Sequence, residues 1–367
     1  MTRASPKPAE LVIRWGPGRS TGEGVPMAFA TSHEALPRVD AYGSTQAQTI
    51  KRGVLAMYMA HPFPQWSTEE RARRLAFEIC RYKFLGLDQV LPGARLIEVG
   101  CGTGMRTMGA ARHFGVREFV GLDHSRASLD VARRVADEDG FTRFTPVEGD
   151  LFNIPYDDGA FDVVVSWGVL HHTPDPWRGF QEMVRVCRPG GFVALYLYNK
   201  YNHWRHNLQK NRVSRLAGED FEKRFAIAHR LYGTTPVERM TPEEVAYFYD
   251  KYCHPHKSDH TYGEVLSRFD QLDLTPWGSF PPTELRDAIG YIQFRDTLQD
   301  RFPLRTALSR RLAAAVRWLP RFDGGHPPYK RPSVAHRFFW QGVLAWMGRN
   351  GEYSDGSAFC ARKPDRG

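Results

Sequence analysis

The sequence predicts an α/β protein built on a doubly wound, mostly parallel sheet with helices on both faces. Three observations carry that prediction. From Arg95 onward, short apolar runs alternate with helical stretches. The runs are apolar along their length, as strands covered on both faces must be. The first run leads straight into a glycine-rich turn, "EVGCGTG", which opens a helical segment.

The elements follow in order. Residues 1–44 are rich in Pro, Gly, Ser and Thr and read as an irregular arm with one short strand at "LVIRW". A helical pattern runs from Ser44 to about Ala60. "HPFP" (His61–Pro64) stops it, because a residue before proline is pushed out of the helical region. Ser67 with Glu70 three residues later reads as a capping box opening a helix through about Leu85. Then "RLIEV", "EFVGLD", "FTPVEGD", "FDVVVSW" and "FVALYLY" read as strands. The helices "GMRTMGAARHFG", "SRASLDVARRVADEDG" and "DPWRGFQEMVRVCRPGG" lie between them. After Tyr198 the alternation breaks. It resumes with a helix at "TYGEVLSRFDQL", a strand at "DLTPWGSF" and a last strand at "SAFCARK". The implied organisation is an arm and helical cap (1–90), a core (91–198), an insertion or acceptor-site lid (199–260), a core continuation (261–280), a helical basic and apolar insertion (281–352) and a last strand with tail (353–367).

Bulk properties set the class. The chain has 367 residues, long enough for a substantial core, and 42% of them are hydrophobic. No apolar run reaches bilayer length, and "MTRASPKPAE" lacks the apolar centre of a secretory signal. Five cysteines (Cys80, Cys101, Cys187, Cys253, Cys360) form no CxxC pair, so a reducing, cytoplasmic setting is expected. The net charge is +9, but residues 301–367 hold 13 Lys/Arg against 4 Asp/Glu and the first 300 residues balance at 37 each. The basicity belongs to the C-terminal region, which argues against nucleic acid as the partner of the part that carries the motifs.

In "EVGCGTG", Glu98, Gly100, Cys101, Gly102, Thr103 and Gly104 form a turn whose glycines let the backbone bend sharply and approach a ligand. The third glycine of a dinucleotide fingerprint is missing, which disfavours NAD. Asp123, followed by His124, ends the second strand, where a carboxylate accepts both hydroxyls of a ribose. Taken alone, it would be a helix N-cap before "HSRAS". Asp150, after the third strand, can accept from an adenine amino group while Leu151 packs on the ring.

With these motifs in order, "LIEVGCGTG", "VGLDHS", "VEGDLFNIPY", "FDVVVSWGVLHHTPDP" and "RVCRPGGFVALYLYN", the sequence resembles the class I S-adenosylmethionine-dependent methyltransferases, especially the small-molecule group that includes the ubiquinone and menaquinone methyltransferases. The resemblance covers about 95–200. It implies a Rossmann-like seven-stranded sheet with helical insertions after the fifth and sixth strands, and S-adenosylmethionine as cofactor. Gly100, Gly102 and Gly104 would line its methionine part, with Glu98 holding the loop. Asp123 would bind the ribose, and Asp150 with Leu151 the adenine. Ser166 and Trp167 would stand beside the sulfonium.

The residues after Trp167 then face an acceptor. Histidine suits a base near neutral pH. Some small-molecule members of the family place a catalytic histidine in an "ILH"-like segment, matching "VLH" here and pointing to His171. His172 reads better as a loop-shaping residue. Related methyltransferases also carry a Tyr-x-x-x-Pro-Phe-Pro-like segment before the core, matched by Tyr58–Pro64, which would cap the cofactor; aromatic packing explains it equally well. "CHPHKSDH" holds metal-binding residue types, but its spacing fits no standard site, so no metal is expected. The helix near Leu308–Leu319 and the apolar "HRFFWQGVLAWM" have the composition to touch a membrane, bind a lipid-like acceptor or form a dimer surface across 305–347; a core helix with a solvated basic face is the favoured reading. The expected function is methyl transfer to a small molecule, with RNA methylation or cofactor binding without transfer as the rivals.

Overall fold

A computed structural model describes residues 45–201, 203–281, 285–297, 307–320, 333 and 356–365, all within one unit spanning 38–367. The arm strand expected at "LVIRW" and the "HRFFWQGVLAWM" helix lie outside the described residues.

Seven strands form one sheet: β1 (Arg95–Val99), β2 (Glu118–Asp123), β3 (Phe144–Glu148), β4 (Phe161–Trp167), β5 (Cys187–Tyr198), β6 (Thr275–Phe280) and β7 (Gly356–Arg362). Their order is β3-β2-β1-β4-β5-β7-β6. The first five run parallel, and β7 pairs antiparallel with both β5 and β6. Prolines sit on both outermost strands, Pro146 in β3 and Pro276 in β6, where a missing N–H costs least.

The helices are α1 (Thr45–Ala60), α2 (Thr68–Phe84), α3 (Thr107–Phe114), α4 (Arg126–Glu138), α5 (Pro176–Val186), α6 (Trp204–Ala217), α7 (Phe221–Tyr232), α8 (Pro242–Phe248), α9 (Tyr262–Gln271), α10 (Leu285–Thr297) and α11 (Ala307–Val316). Alternate strand residues feed two cores. Leu96, Val163 and Val165 pack with Phe84 and Met108 on one face; Ile97, Val99 and Val164 pack with Phe180 and Phe269 on the other. That two-sided burial is why the strands are apolar throughout.

Three sequence expectations change in detail. Ser67 caps α2 by accepting from the Glu70 N–H, but the Glu70 carboxylate turns to Arg73 and Arg74 instead of closing a capping box. "CRPGG" does not end the helix before it; Cys187 already begins β5. The weakly periodic stretch 199–260 is helical, with its own small core of Val213, Phe225, Ala228, Tyr249 and Tyr252. Its pattern is obscured because α8 passes into one π-helical turn at Tyr249–Cys253, which rotates the buried face. Among the described residues, no helix is long and apolar enough to cross a membrane. In α11, Ala313 is buried while Leu312 is exposed, as are Trp318 and Leu319 beyond it.

Candidate active site

A cavity of about 690 Å³ opens at the carboxyl ends of the central strands, under α1, α2 and the 199–260 helices. This is where an open α/β sheet places its ligands.

Its first wall is the turn after β1. Gly100 (φ 74°) and Gly102 (φ 53°) occupy the left-handed region. A Cβ on Gly100 would lie 2.5 Å from Val169, and one on Gly102 would lie 2.4 Å from the Phe63 carbonyl. The "HPFP" segment therefore closes directly on the turn. Thr103 donates its hydroxyl to the Pro64 carbonyl at 2.6 Å and its N–H points to Phe63. Glu98 is 1% exposed, and its Oε2 has no hydrogen-bond partner. Burial pushes its carboxyl up to about 8, opposed by Thr107 and Arg106. Cys101 also lines the cavity, with burial holding its thiol far above the usual range.

Asp123 ends β2 and accepts twice, from Gly102 N–H and Ser125 N–H, both at 2.8 Å. The helix cap is Ser125, whose hydroxyl accepts from Ser128 N–H, so Asp123 is not the N-cap. Its carboxylate instead fixes the glycine turn from across the strand end and remains on the cavity wall beside His124. Asp150 accepts from Phe152 N–H and pairs with Lys51 of α1 at 2.6 Å; both side chains are over a third exposed. Such a pair contributes little, so a ligand can exchange with it at small cost. Leu151 lines the wall beside it.

Glu98, Gly100, Cys101, Gly102, Asp123, His124, Asp150, Leu151 and Trp167 thus meet around one cavity, while Thr103, Gly104 and Ser166 stand behind it. Ser166 is a correction. Its hydroxyl donates to the Val99 carbonyl at 2.8 Å and ties β4 to β1 instead of facing a sulfonium. Gly104 packs against Met108 and Ala132. Trp167 does face the cavity, its indole N–H held by Tyr82 Oη at 3.0 Å.

The two histidines stand in the opposite places to those expected for them: His171 behind the cavity wall and His172 on it. His171 is fully buried behind the wall, stacked on Tyr198 at 3.8 Å, with its Nδ1 accepting from Tyr198 N–H. Its Nε2 has no partner, and burial holds the imidazole neutral, which removes it from contact with an acceptor. His172 lines the cavity. Its Nδ1 donates to the His256 carbonyl at 3.0 Å, which leaves the lone pair on Nε2. His254 stacks on it at 3.5 Å, and burial holds it neutral as well. Tyr58 lines the cavity, but its hydroxyl donates to Asp250 at 2.9 Å; burial, then Asp250, raise it well above the usual phenol range. It ties α1 to the π-helical turn at Tyr249–Cys253 and is not a free acid or base. No group of three metal-ligating side chains occurs among the described residues. In "CHPHKSDH", His260 bonds Glu264 and Asp259 bonds His203.

The sequence reading missed Lys51, Asp250 and a buried Glu78–Arg81 pair on α2, all on the cavity wall. The i,i+3 spacing of Glu78 and Arg81 was the one available signal.

S-Adenosylmethionine fits this arrangement. The unpartnered Glu98 oxygen suits an ammonium, the two glycines hold a left-handed turn that Val169 and Phe63 close on and no Cβ would allow, and two carboxylates wait at the next strand ends.

A model of a methyltransferase domain matches residues 97–195. The chain is 24% identical to an uncharacterised protein of Synechococcus sp. over 71% of its own length and 67% of that protein. It is 34% identical to demethylmenaquinone methyltransferase of Bacillus subtilis over 31% of its length and 49% of that enzyme. The chain thus spans about half the length of that named relative. A solved structure, a putative sarcosine dimethylglycine methyltransferase from Galdieria sulphuraria, aligns over 86% of this chain and 99% of its own, with 14% identity and a TM-score of 0.45. With the strand-end site, the domain model and the named relative identify residues 97–195 as a class I S-adenosylmethionine-dependent methyltransferase domain.

Proposed function

We propose that this protein transfers a methyl group from S-adenosylmethionine to an O, N or C atom of a small-molecule acceptor by in-line displacement. The observation that carries the reading is the continuity of the cavity: the strand-end cofactor residues and an aromatic chamber of Phe77, Trp167, Tyr196 and Tyr198 share one space. Its volume suits small ligands. Relatives named as acting on demethylmenaquinone and on 2-methyl-6-phytyl-1,4-hydroquinone support the same class of acceptor.

Bound here, the cofactor supplies an electrophilic methyl group on sulfur. Glu98 receives the ammonium, Asp123 the ribose hydroxyls, and Asp150 with Leu151 the adenine. Trp167 and Val169 shape the passage between the two halves and exclude water from it. Alignment of the reacting atoms is the main catalytic contribution. His172 Nε2 accepts the proton the acceptor releases, and the Nδ1 bond to His256 fixes its tautomer.

The test is incubation with methyl-labelled S-adenosylmethionine and an extract of the source organism, followed by separation of small molecules, lipids, protein and RNA. Label in the small-molecule or lipid fraction is the expected result. Label in RNA would overturn the acceptor class. Cofactor binding with no label in any fraction would favour a binding protein without transfer.

A further inference from the structure

One feature of the cavity wall is not used by the cofactor residues. Arg81 is 4% exposed and so is its partner Glu78, with Nη1 and Oε2 2.7 Å apart. Four rings surround the guanidinium: Trp167 at 5.4 Å, Phe77 at 5.6 Å, and Tyr196 and Phe280 each at 6.0 Å. Apart from that contact with each other, Arg81 Nη1 and Glu78 Oε2 have no partner, and Arg81 Nε has none. A buried ion pair with incomplete hydrogen bonding is costly, and a hydrophobic pair of the same size would be no less stable. Both residues form part of the cavity wall.

The strand order tells which half they serve. Trp167, Tyr196 and Phe280 come from β4, β5 and β6, whereas Asp123 and Asp150 follow β2 and β3 on the opposite side of β1. The pair therefore faces the acceptor half.

Resting on the methyltransferase reading above, we infer that Glu78 and Arg81 form a two-handed recognition site for an aromatic or conjugated acceptor bearing an oxygen acceptor next to an O–H donor, as in a hydroxy-carbonyl compound. Arg81 donates to the carbonyl oxygen and Glu78 accepts from the hydroxyl. The surrounding rings take the flat face of the ligand. Because the pair is balanced in charge, it selects the combination of donor and acceptor and not net charge. Neither residue touches the reacting atoms; both are specificity-determining.

The test uses 2-hydroxyacetophenone, acetophenone and phenol as probes of the full-length protein saturated with S-adenosylhomocysteine, read by ligand-observed NMR. In the wild type, the compound carrying both groups binds about tenfold tighter than either single-group compound. Equal affinity for all three, or no binding of any, overturns the inference and needs no variant. Glu78→Gln and Arg81→Lys keep side-chain size, and melting temperature reports whether they fold. Both variants are expected to weaken 2-hydroxyacetophenone about tenfold, only Arg81→Lys to weaken acetophenone, and both to bind S-adenosylmethionine within about twofold of wild type. A larger loss for S-adenosylmethionine than for the probe would assign the pair to the cofactor and overturn the inference. Failure of the wild type to bind S-adenosylmethionine would instead defeat the methyltransferase reading.

Discussion

Where the turn after β1 lines the cavity, Asp123 holds a glycine N–H 21 residues away; where the 199–260 helices cover it, Tyr58 meets Asp250 across 192 residues. The first end is built mainly from backbone: strand ends, a glycine turn and N–H groups gripped by carboxylates. The second is built from side chains: stacked imidazoles, a buried ion pair and aromatic rings from α2, β4, β5 and the 199–260 helices. A backbone site tolerates little change at a few positions. A side-chain site can be rebuilt residue by residue, so chains with the same cofactor end can take different acceptors.

Acid should separate the two ends most strongly. His171, His172, His206 and His254 are all held below the usual imidazole range by burial, His206 to about 2. Their folded pKa is depressed, so the unfolded chain binds protons first as pH falls through about 6.5, and stability is lost there at up to about 1.4 kcal/mol per pH unit for each histidine. All four lie in the segments 170–173 and 199–260. Amide exchange at pH 5 should therefore expose 199–260 before β1–β4. Uniform loss of protection would erase the distinction.

Gly102→Ala should strike the other end, because its Cβ would meet the Phe63 carbonyl and φ is positive. Calorimetry should show S-adenosylmethionine affinity reduced roughly 100-fold, about 2.7 kcal/mol. Acceptor-site substitutions should not reproduce that loss. His172→Ala should lower kcat about 100-fold and leave cofactor affinity within about twofold. His171→Ala should cost about 1–2 kcal/mol in stability with little change in kcat, since that ring packs behind the wall. The reverse pattern would restore the assignment that the sequence suggests. Smallest of all, Tyr58→Phe should remove one charge-assisted bond to Asp250, worth about 1.5 kcal/mol, and appear as a lower melting temperature with cofactor affinity unchanged.

This contrast also explains what the sequence could tell. The β1–β5 strands, the glycine turn and the acids at two strand ends are local patterns, and Glu98, Asp123 and Asp150 can be placed from them. Ser166 defied that logic because alternation along β4 turns its hydroxyl back to Val99, and a neighbouring position cannot be told apart without knowing which face is up. His171 and His172 are adjacent, and only the Leu170–His172 turn decides which one reaches the cavity. Glu78 and Arg81 have the i,i+3 spacing of any exposed helix pair; the packing of α2 against β4, β5 and β6 buries them. The 199–260 helices were hidden by weak periodicity and a π turn.

The most direct test of the cofactor end is the pH dependence of S-adenosylhomocysteine binding. In the ligand-free protein Glu98 holds its proton up to about 8 and must release it to receive an ammonium. Affinity should fall about tenfold per pH unit below that value, and should fall again at higher pH as the ligand's amino group loses its own proton. Glu98→Gln should bind more weakly near pH 8 and lose the low-pH limb. A wild-type profile that is flat from pH 6 to 8, or a Gln variant with the same low-pH limb, would contradict the assignment of Glu98 and the cofactor half built around it.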